Sequence, residues 1–359
     1  MFFDFVSKLS YHPQKVADCL DDKVKGSLST VFLDLVSGIC NHNCIFCDGH
    51  YNPLPQKKFS DDRLLSIADE LKALNVNSVL IVGEGGESTL HPSFCVFSRK
   101  LLSLGIHVGL YTNGETLNGE IAKVAADFDF VRISLDSGCN STHNIVHRSK
   151  SNNVFSKIVS QAKDFSKIKK GILGASFIVL NENVDEIIAA SILCEECGFD
   201  FLELKPYYSP NYTFDLTMYE RLSQKLKNNY IEAVNICSKL TIILNNQFNE
   251  WEANNFAQRN LTRLDTPRIC YTSKLRMVVS PTGCYLCTCF RNEDAYCMGD
   301  PNITSLIDIW YGERHFELTK CLCSLKCTYA AQNQYLSEMK EKKIELPEPD
   351  PNLSQIYFL

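Results

Sequence analysis

Three cysteines crowd into one short stretch, Cys40-Asn-His-Asn-Cys44-Ile-Phe-Cys47, and eight more lie between Cys270 and Cys327. The other six, Cys19, Cys95, Cys139, Cys194, Cys197 and Cys237, are scattered singly and read as small buried hydrophobes. In a reducing compartment, closely spaced thiolates ligate soft metals: zinc, copper(I) or iron-sulfur clusters. Three thiolates at this spacing can hold three corners of a cubane cluster, which leaves one iron open for chemistry. The alternative is a closed zinc site completed by His42 or His50. Phe46, just before the last cysteine, would shield a cluster from water.

The chain that must position these ligands has 359 residues, enough for about two domains or one barrel with an appendage at ~150 residues per domain. With 45 % hydrophobic and 22 % charged residues it has the balance of a globular protein rather than a disordered or fibrous one. A net charge of -6 gives no general basic surface, which argues against nucleic acid as partner. No run reaches the ~18 apolar residues of a membrane span. The opening Met-Phe-Phe-Asp-Phe-Val places an acid where a secretory signal carries positive charge, so the expected location is cytoplasmic. Seventeen cysteines are too dilute for a disulfide-stapled scaffold.

Short β-branched or aromatic runs alternate with helical patterns. Strands are expected at residues 31–36, 78–82, 107–111, 130–135, 172–180 and 201–204, and helices at 61–74, 93–104, 116–126, 153–165 and 184–197. Six strands joined by helices demand parallel pairing with right-handed crossovers, and ligands then gather at the C-terminal strand ends. Beyond Pro206 the pattern predicts a long helix over 216–240, a strand over 241–244, and an Asn-rich linker or lid over 245–260. A hairpin turning at Pro281-Thr282-Gly283 follows, then short helices over 305–311 and 328–342, and a proline-bearing tail lying extended on the surface. The Cys40 to Cys47 stretch follows the first strand, a ligand position.

The C-x3-C-x2-C spacing at the end of a first strand resembles the signature of the radical S-adenosylmethionine (SAM) superfamily. The resemblance continues through Gly85-Gly86-Glu87 after the second strand, with Ser88 where that family usually has proline, and through Thr112-Asn113-Gly114 and Arg132-Ile-Ser134-Leu-Asp136. It implies a 4Fe-4S cluster on Cys40, Cys44 and Cys47, whose open iron chelates SAM. One electron then cleaves SAM to methionine and a 5'-deoxyadenosyl radical, which abstracts hydrogen from an unactivated carbon. By the same resemblance Gly85, Gly86 and Glu87 receive the methionyl ammonium, Ser134 the ribose hydroxyls and Arg148 the carboxylate. Phe46, Thr112, Asn113 and Asp136 line the pocket.

The later cysteines resemble the SPASM or shorter twitch extension of such enzymes, which holds an auxiliary cluster. This implies one auxiliary 4Fe-4S cluster on Cys270, Cys287, Cys323 and Cys327, with Cys289 and Cys321 as rivals. The expected architecture is α/β: a partial (β/α)6 TIM-like barrel with a C-terminal cysteine-rich hairpin and helix domain. The expected divisions are an extension over 1–29, the barrel over 30–206, a helix and linker over 207–267, the cluster domain over 268–335, and a helix end and tail over 336–359. The first 30 residues are short for a precursor-peptide recognition domain, which favours a small carbohydrate-, nucleoside- or amino-acid-like substrate undergoing oxidation or epimerisation. A ribosomal peptide is the alternative, and a zinc-bearing regulatory protein the reading of a different class. A flavodoxin- or ferredoxin-type reductant is implied, and Cys139 or Cys197 would be the hydrogen donor of an epimerase.

Overall fold

The computed structural model describes residues 6–24, 26–83, 85–207, 216–245, 248, 269–320, 329–342 and 344–359. Six strands in series form the framework: β1 (Thr30–Asp34), β2 (Ser78–Val82), β3 (His107–Thr112), β4 (Phe130–Ser134), β5 (Ile172–Val179) and β6 (Phe201–Pro206). Each pairs in parallel with the next. β7 (Thr241–Leu244) continues the series beside β6. At the opposite edge β8 (Arg276–Ser280) lies parallel to β1 and leads through an antiparallel hairpin to β9 (Gly283–Tyr285) and β10 (Cys297–Gly299). The cysteine-bearing hairpin thus extends the barrel sheet itself, in the order β10-β9-β8-β1-β2-β3-β4-β5-β6-β7.

Period-two alternation sorts the strand residues onto two faces. Val31, Leu33, Val79, Ile81, Val108, Leu110, Val131, Ile133, Leu173, Ala175, Leu202 and Leu204 join the main apolar core. That core is closed from outside by the helices α1 (Asp61–Ala73), α2 (Phe94–Ser103), α3 (Gly119–Ala125), α5 (Val154–Ser166) and α6 (Ile187–Cys197), while α4 (Asn140–His147) packs beside α5. Ser60 starts α1 as the acidic first turn predicts, its hydroxyl accepting from the amide of Arg63 at 3.2 Å. Along β4 the alternate residues Phe130, Arg132 and Ser134 occupy the inner face. A long helix, Leu216–Ile236, precedes β7 as expected; the Asn-rich stretch after it lies almost wholly outside the described residues.

Among the differences from the sequence expectation, two bear on the site and on the floor of the barrel. Helix α4 falls where no helix was predicted, because Asn, Ser, Thr and His have weak helix propensity and the stop residue is Arg148, left-handed at φ 46°, rather than glycine. Burial of His143, Val146 and His147 supplies what propensity does not.

The tail, expected on the surface, closes the N-terminal end of the barrel. The amide of Leu359 donates to Thr30 Oγ1 at 3.0 Å, and Ser78 Oγ donates to the carbonyl of Tyr357 at 2.8 Å. The Tyr357 ring stacks on His107 with centroids 3.4 Å apart, and Phe358 packs with Leu80, Val82 and Phe130. An open barrel bottom lined with apolar side chains is a stronger sink for Phe358 and Leu359 than three prolines are a signal for exposure.

One ion pair and one hydrogen bond to a carboxylate tie the hairpin region to the barrel. Arg291 Nε lies 3.0 Å from Asp34 Oδ2, both side chains buried. Arg63 of α1 pairs with Glu70, and Glu70 Oε2 accepts from the amide of Leu306 at 2.6 Å, at the start of helix Leu306–Tyr311.

Candidate active site

Cys40, Cys44 and Cys47 lie in the loop beyond β1, at the C-terminal mouth of the sheet. The loop is braced on two sides. The amides of Asn43 and Ile45 donate to the carbonyls of His147 and Val146 at 3.0 and 2.9 Å, so the cysteine loop satisfies carbonyls that the end of α4 leaves without helical partners. On the other side the amide of Glu87 donates to the carbonyl of Ile39 at 2.8 Å. Gly85 sits at φ 72°, and a Cβ on Gly86 would come within 3.0 Å of the Val36 carbonyl oxygen, so both glycines are needed for this close approach.

Glu87 is 3 % exposed. Its Oε1 accepts from Thr89 Oγ1 at 2.6 Å, Thr112 Oγ1 at 3.0 Å and the Thr89 amide at 3.2 Å, and its Oε2 from the Asn113 amide at 2.8 Å. Burial raises its carboxyl pKa, with these donors opposing. Asn113 also bonds Asn41 Oδ1 through Nδ2 at 2.7 Å, and the same nitrogen lies 3.9 Å from Cys40 Sγ. The Gly-Gly-Glu, Thr-Asn-Gly and cysteine loops therefore meet through Glu87 and Asn113.

Burial first, with the Glu87 and Cys47 charges adding, pushes the Cys40 thiol up to about 11, and burial with Cys47 and Cys40 pushes Cys44 well above its ordinary value. Buried thiols this close ionise together only around a cation, and the donor set therefore fits a metal or cluster. A 4Fe-4S cluster would take Cys40, Cys44 and Cys47.

His147, which belongs to none of the sequence motifs, stands at the centre of the site. It is 1 % exposed, with Nδ1 3.1 Å from Cys44 Sγ and Nε2 3.2 Å from Asp136 Oδ2. Phe46 packs edge-on against it at 5.5 Å between centroids. Asp136, fully buried, stands behind His147 and Cys44. His42 and His143 share the cluster of rings, and burial first, then His147, holds them down to about 4 and about 3. No spacing rule marks His147, because its partners come from a loop about a hundred residues earlier; the one available signal was a histidine pair, His143 and His147, at helical spacing.

Ser134 ends β4 on the inner face, and exposed Arg148 caps α4 beside the cysteine loop. Deeper inside, Glu203 pairs with Arg132 at 3.0 Å, not with Lys205, and accepts from Asn245 Nδ2 at 2.8 Å; the Arg132 guanidinium lies over the Tyr111 ring. Burial lowers the Lys205 pKa, with Arg132 adding to it. Of the two thiols considered as hydrogen donors, Cys139 precedes α4 at the mouth, 3.0 Å from Glu186 Oε1. Cys197 closes the last turn of α6, packed in the core before β6 begins, at the opposite end from the mouth. It is in the wrong place to meet a substrate radical.

Cys270 and Cys287 line one cleft together with Phe32, Met277, Leu286 and Tyr329. Cys284 is fully buried on β9. Cys321, Cys323 and Cys327 lie outside the described residues, as does the Cys289 side chain. No helix among the described residues is long and apolar enough to cross a membrane.

The radical SAM superfamily model matches residues 35–191. The chain is 22 % identical over 306 residues to the tungsten-containing aldehyde ferredoxin oxidoreductase cofactor-modifying protein of Pyrococcus furiosus, covering 79 % of this chain and 81 % of that one. Among solved structures, Streptococcus suis SuiB bound to its precursor peptide SuiA superposes with a TM-score of 0.61 at 16 % identity, over 88 % of this chain and 74 % of SuiB. The anSMEcpe structure with AdoMet and the Cp18Cys peptide gives 0.58 at 18 %, over 88 % and 96 %. The sequence match thus covers the stretch from the end of β1 into α6, with the three-cysteine motif inside it, and most of the chain matches these structures in fold.

Proposed function

We propose that this chain is a radical SAM enzyme that abstracts hydrogen from a peptide, with Cys40, Cys44 and Cys47 holding the SAM-binding cluster. The observation that carries it is the junction at Glu87, where one buried carboxylate joins the second and third strand loops beside the cysteine loop. When bound, the cluster supplies the electron that cleaves SAM, and the difficult bond chemistry is the cofactors' own. The protein's residues bind, orient and exclude water. Gly85 and Gly86 let the backbone approach SAM closely, Ser134 and Arg148 are placed to meet its polar groups, and Phe46 covers one side.

The sequence leaned toward a small metabolite, and that preference is withdrawn. It rested on the length of the leading segment, which says nothing about where a substrate docks. The likeness to SuiB and anSMEcpe, both solved with peptides bound, supports a peptide instead. Cys270 and Cys287, sharing an apolar cleft, support an auxiliary cluster there, and an external flavodoxin- or ferredoxin-type protein would supply the electrons.

The test is anaerobic reconstitution followed by SAM, reductant and synthetic peptides deuterated at their α carbons. Deuterium appearing in 5'-deoxyadenosine supports the peptide reading. Cleavage of SAM with transfer only from a deuterated sugar or nucleoside would overturn it.

A further inference from the structure

Beside the three-cysteine motif lies a second donor set that uses only one of its thiols. Cys44 Sγ, a ring nitrogen of His147 and a ring nitrogen of His42 all lie within 4.8 Å of one another, with Cys44 to His147 Nδ1 at 3.1 Å. Both histidines turn their outer nitrogen to a carboxylate: His42 Nε2 is 3.1 Å from Glu115 Oε2, and His147 Nε2 is 3.2 Å from Asp136 Oδ2. The hydrogen bond to Glu115 fixes the proton of His42 on Nε2 and leaves its Nδ1 lone pair for a metal, the arrangement found behind most metal-bound histidines, whereas Asp136 faces His147 Nε2 at ion-pair distance without a hydrogen bond. The inner nitrogen of His42, Nδ1, is buried without a hydrogen-bond partner.

The carboxylates are themselves held. Glu115 accepts from Asn41 Nδ2 at 2.6 Å and lies 3.5 Å from Lys157 Nζ, and Asp136 Oδ1 accepts from the amide of Ile178. Two imidazoles and one thiolate, with a fourth position left open, suit tetrahedral zinc. Ligands held about 2.0–2.3 Å from a tetrahedral zinc stand about 3.3–3.8 Å apart, so the three donors, within 4.8 Å of one another, draw together on binding.

We propose that the cluster-free chain binds one zinc-type divalent ion through His42, Cys44 and His147, with the Cys44 proton released to solvent. This ion excludes the SAM-binding cluster because both need Cys44. The metal site stands on its own geometry, whereas the exclusion rests on the cluster reading given above.

The experiment titrates zinc into full-length, iron-free protein and counts bound metal by variant, which separates this site from any zinc taken up by other thiols of the chain. His42→Ala and His147→Ala should each lose one equivalent, whereas Cys40→Ser and Cys47→Ser should keep it. Glu115→Gln, which leaves all three ligands in place, should weaken that equivalent about 10- to 100-fold. Cobalt in place of zinc should show a thiolate charge-transfer band that both histidine variants lose. A zinc count unchanged in the histidine variants, or one equivalent lost with Cys40→Ser, overturns the site. Full cluster assembly on zinc-loaded protein without zinc release overturns the exclusion. Failure of Cys40, Cys44 and Cys47 to take up iron and sulfide in zinc-free protein instead counts against the cluster reading, and the zinc count is read regardless.

Discussion

The backbone amide of Asn113 donates to Oε2 of Glu87 at 2.8 Å, joining the loop after the third strand to the loop after the second. With Asn113 Nδ2 reaching Asn41, the mouth of the barrel is one bonded unit rather than separate loops. Glu87→Gln sets an amide group where a carboxylate accepted from four donors. The expected loss is about 1–3 kcal/mol in urea unfolding, with weaker SAM binding to the reconstituted protein. Unchanged stability and SAM affinity would show that the junction positions nothing.

Cys44→Ala should abolish SAM cleavage while leaving iron in the C-terminal site. Iron and sulfide counts on the reconstituted variant check this: about four irons per chain should remain where the parent holds about eight, if each site carries one cubane. Loss of all iron would mean that the two cysteine groups do not act independently.

Phe358→Ala removes the ring that fills the barrel bottom between Leu80, Val82 and Phe130. A buried Phe→Ala change costs about 3–5 kcal/mol, read by chemical denaturation. A cost under about 0.5 kcal/mol would place the tail on the surface, where the sequence put it.

Glu70 links α1 to the segment after the hairpin, and its pH dependence follows from its partners. Burial acts to raise its pKa, but hydrogen bonds from Arg63 and from the Leu306 amide, with the Arg63 charge, outweigh it and hold the carboxyl below its ordinary 4.5. A depressed carboxyl binds fewer protons folded than unfolded. Its stabilisation is therefore complete above about pH 4.5 and fades as pH falls through the lower folded value. Glu70→Gln should lower the melting temperature at pH 7 and flatten its decline below pH 4.5. Parallel curves for the two proteins would contradict the assignment.

The barrel was legible because β-branched runs and helical periods alternate regularly, and the cysteine, Gly-Gly-Glu and Thr-Asn-Gly motifs each follow a strand that periodicity alone locates. The helix Asn140–His147 was not, since its support is tertiary: His143 and His147 are buried against a loop about a hundred residues away. The same distance hid the Asp136, His147 and Cys44 chain. The tail misled for a related reason, because three prolines speak to local conformation while Phe358 is placed by a cavity that only the closed sheet creates. Cys197 looked available in sequence, yet helix direction carries it away from the mouth.

The central claim is that Cys40, Cys44 and Cys47 hold a cluster with one iron open to SAM. Anaerobically reconstituted protein should therefore be given SAM and a one-electron reductant, and methionine and 5'-deoxyadenosine quantified together. The account predicts both products in equal amounts, dependent on reductant and absent from Cys44→Ala. A fully iron-loaded protein that forms neither product would contradict it.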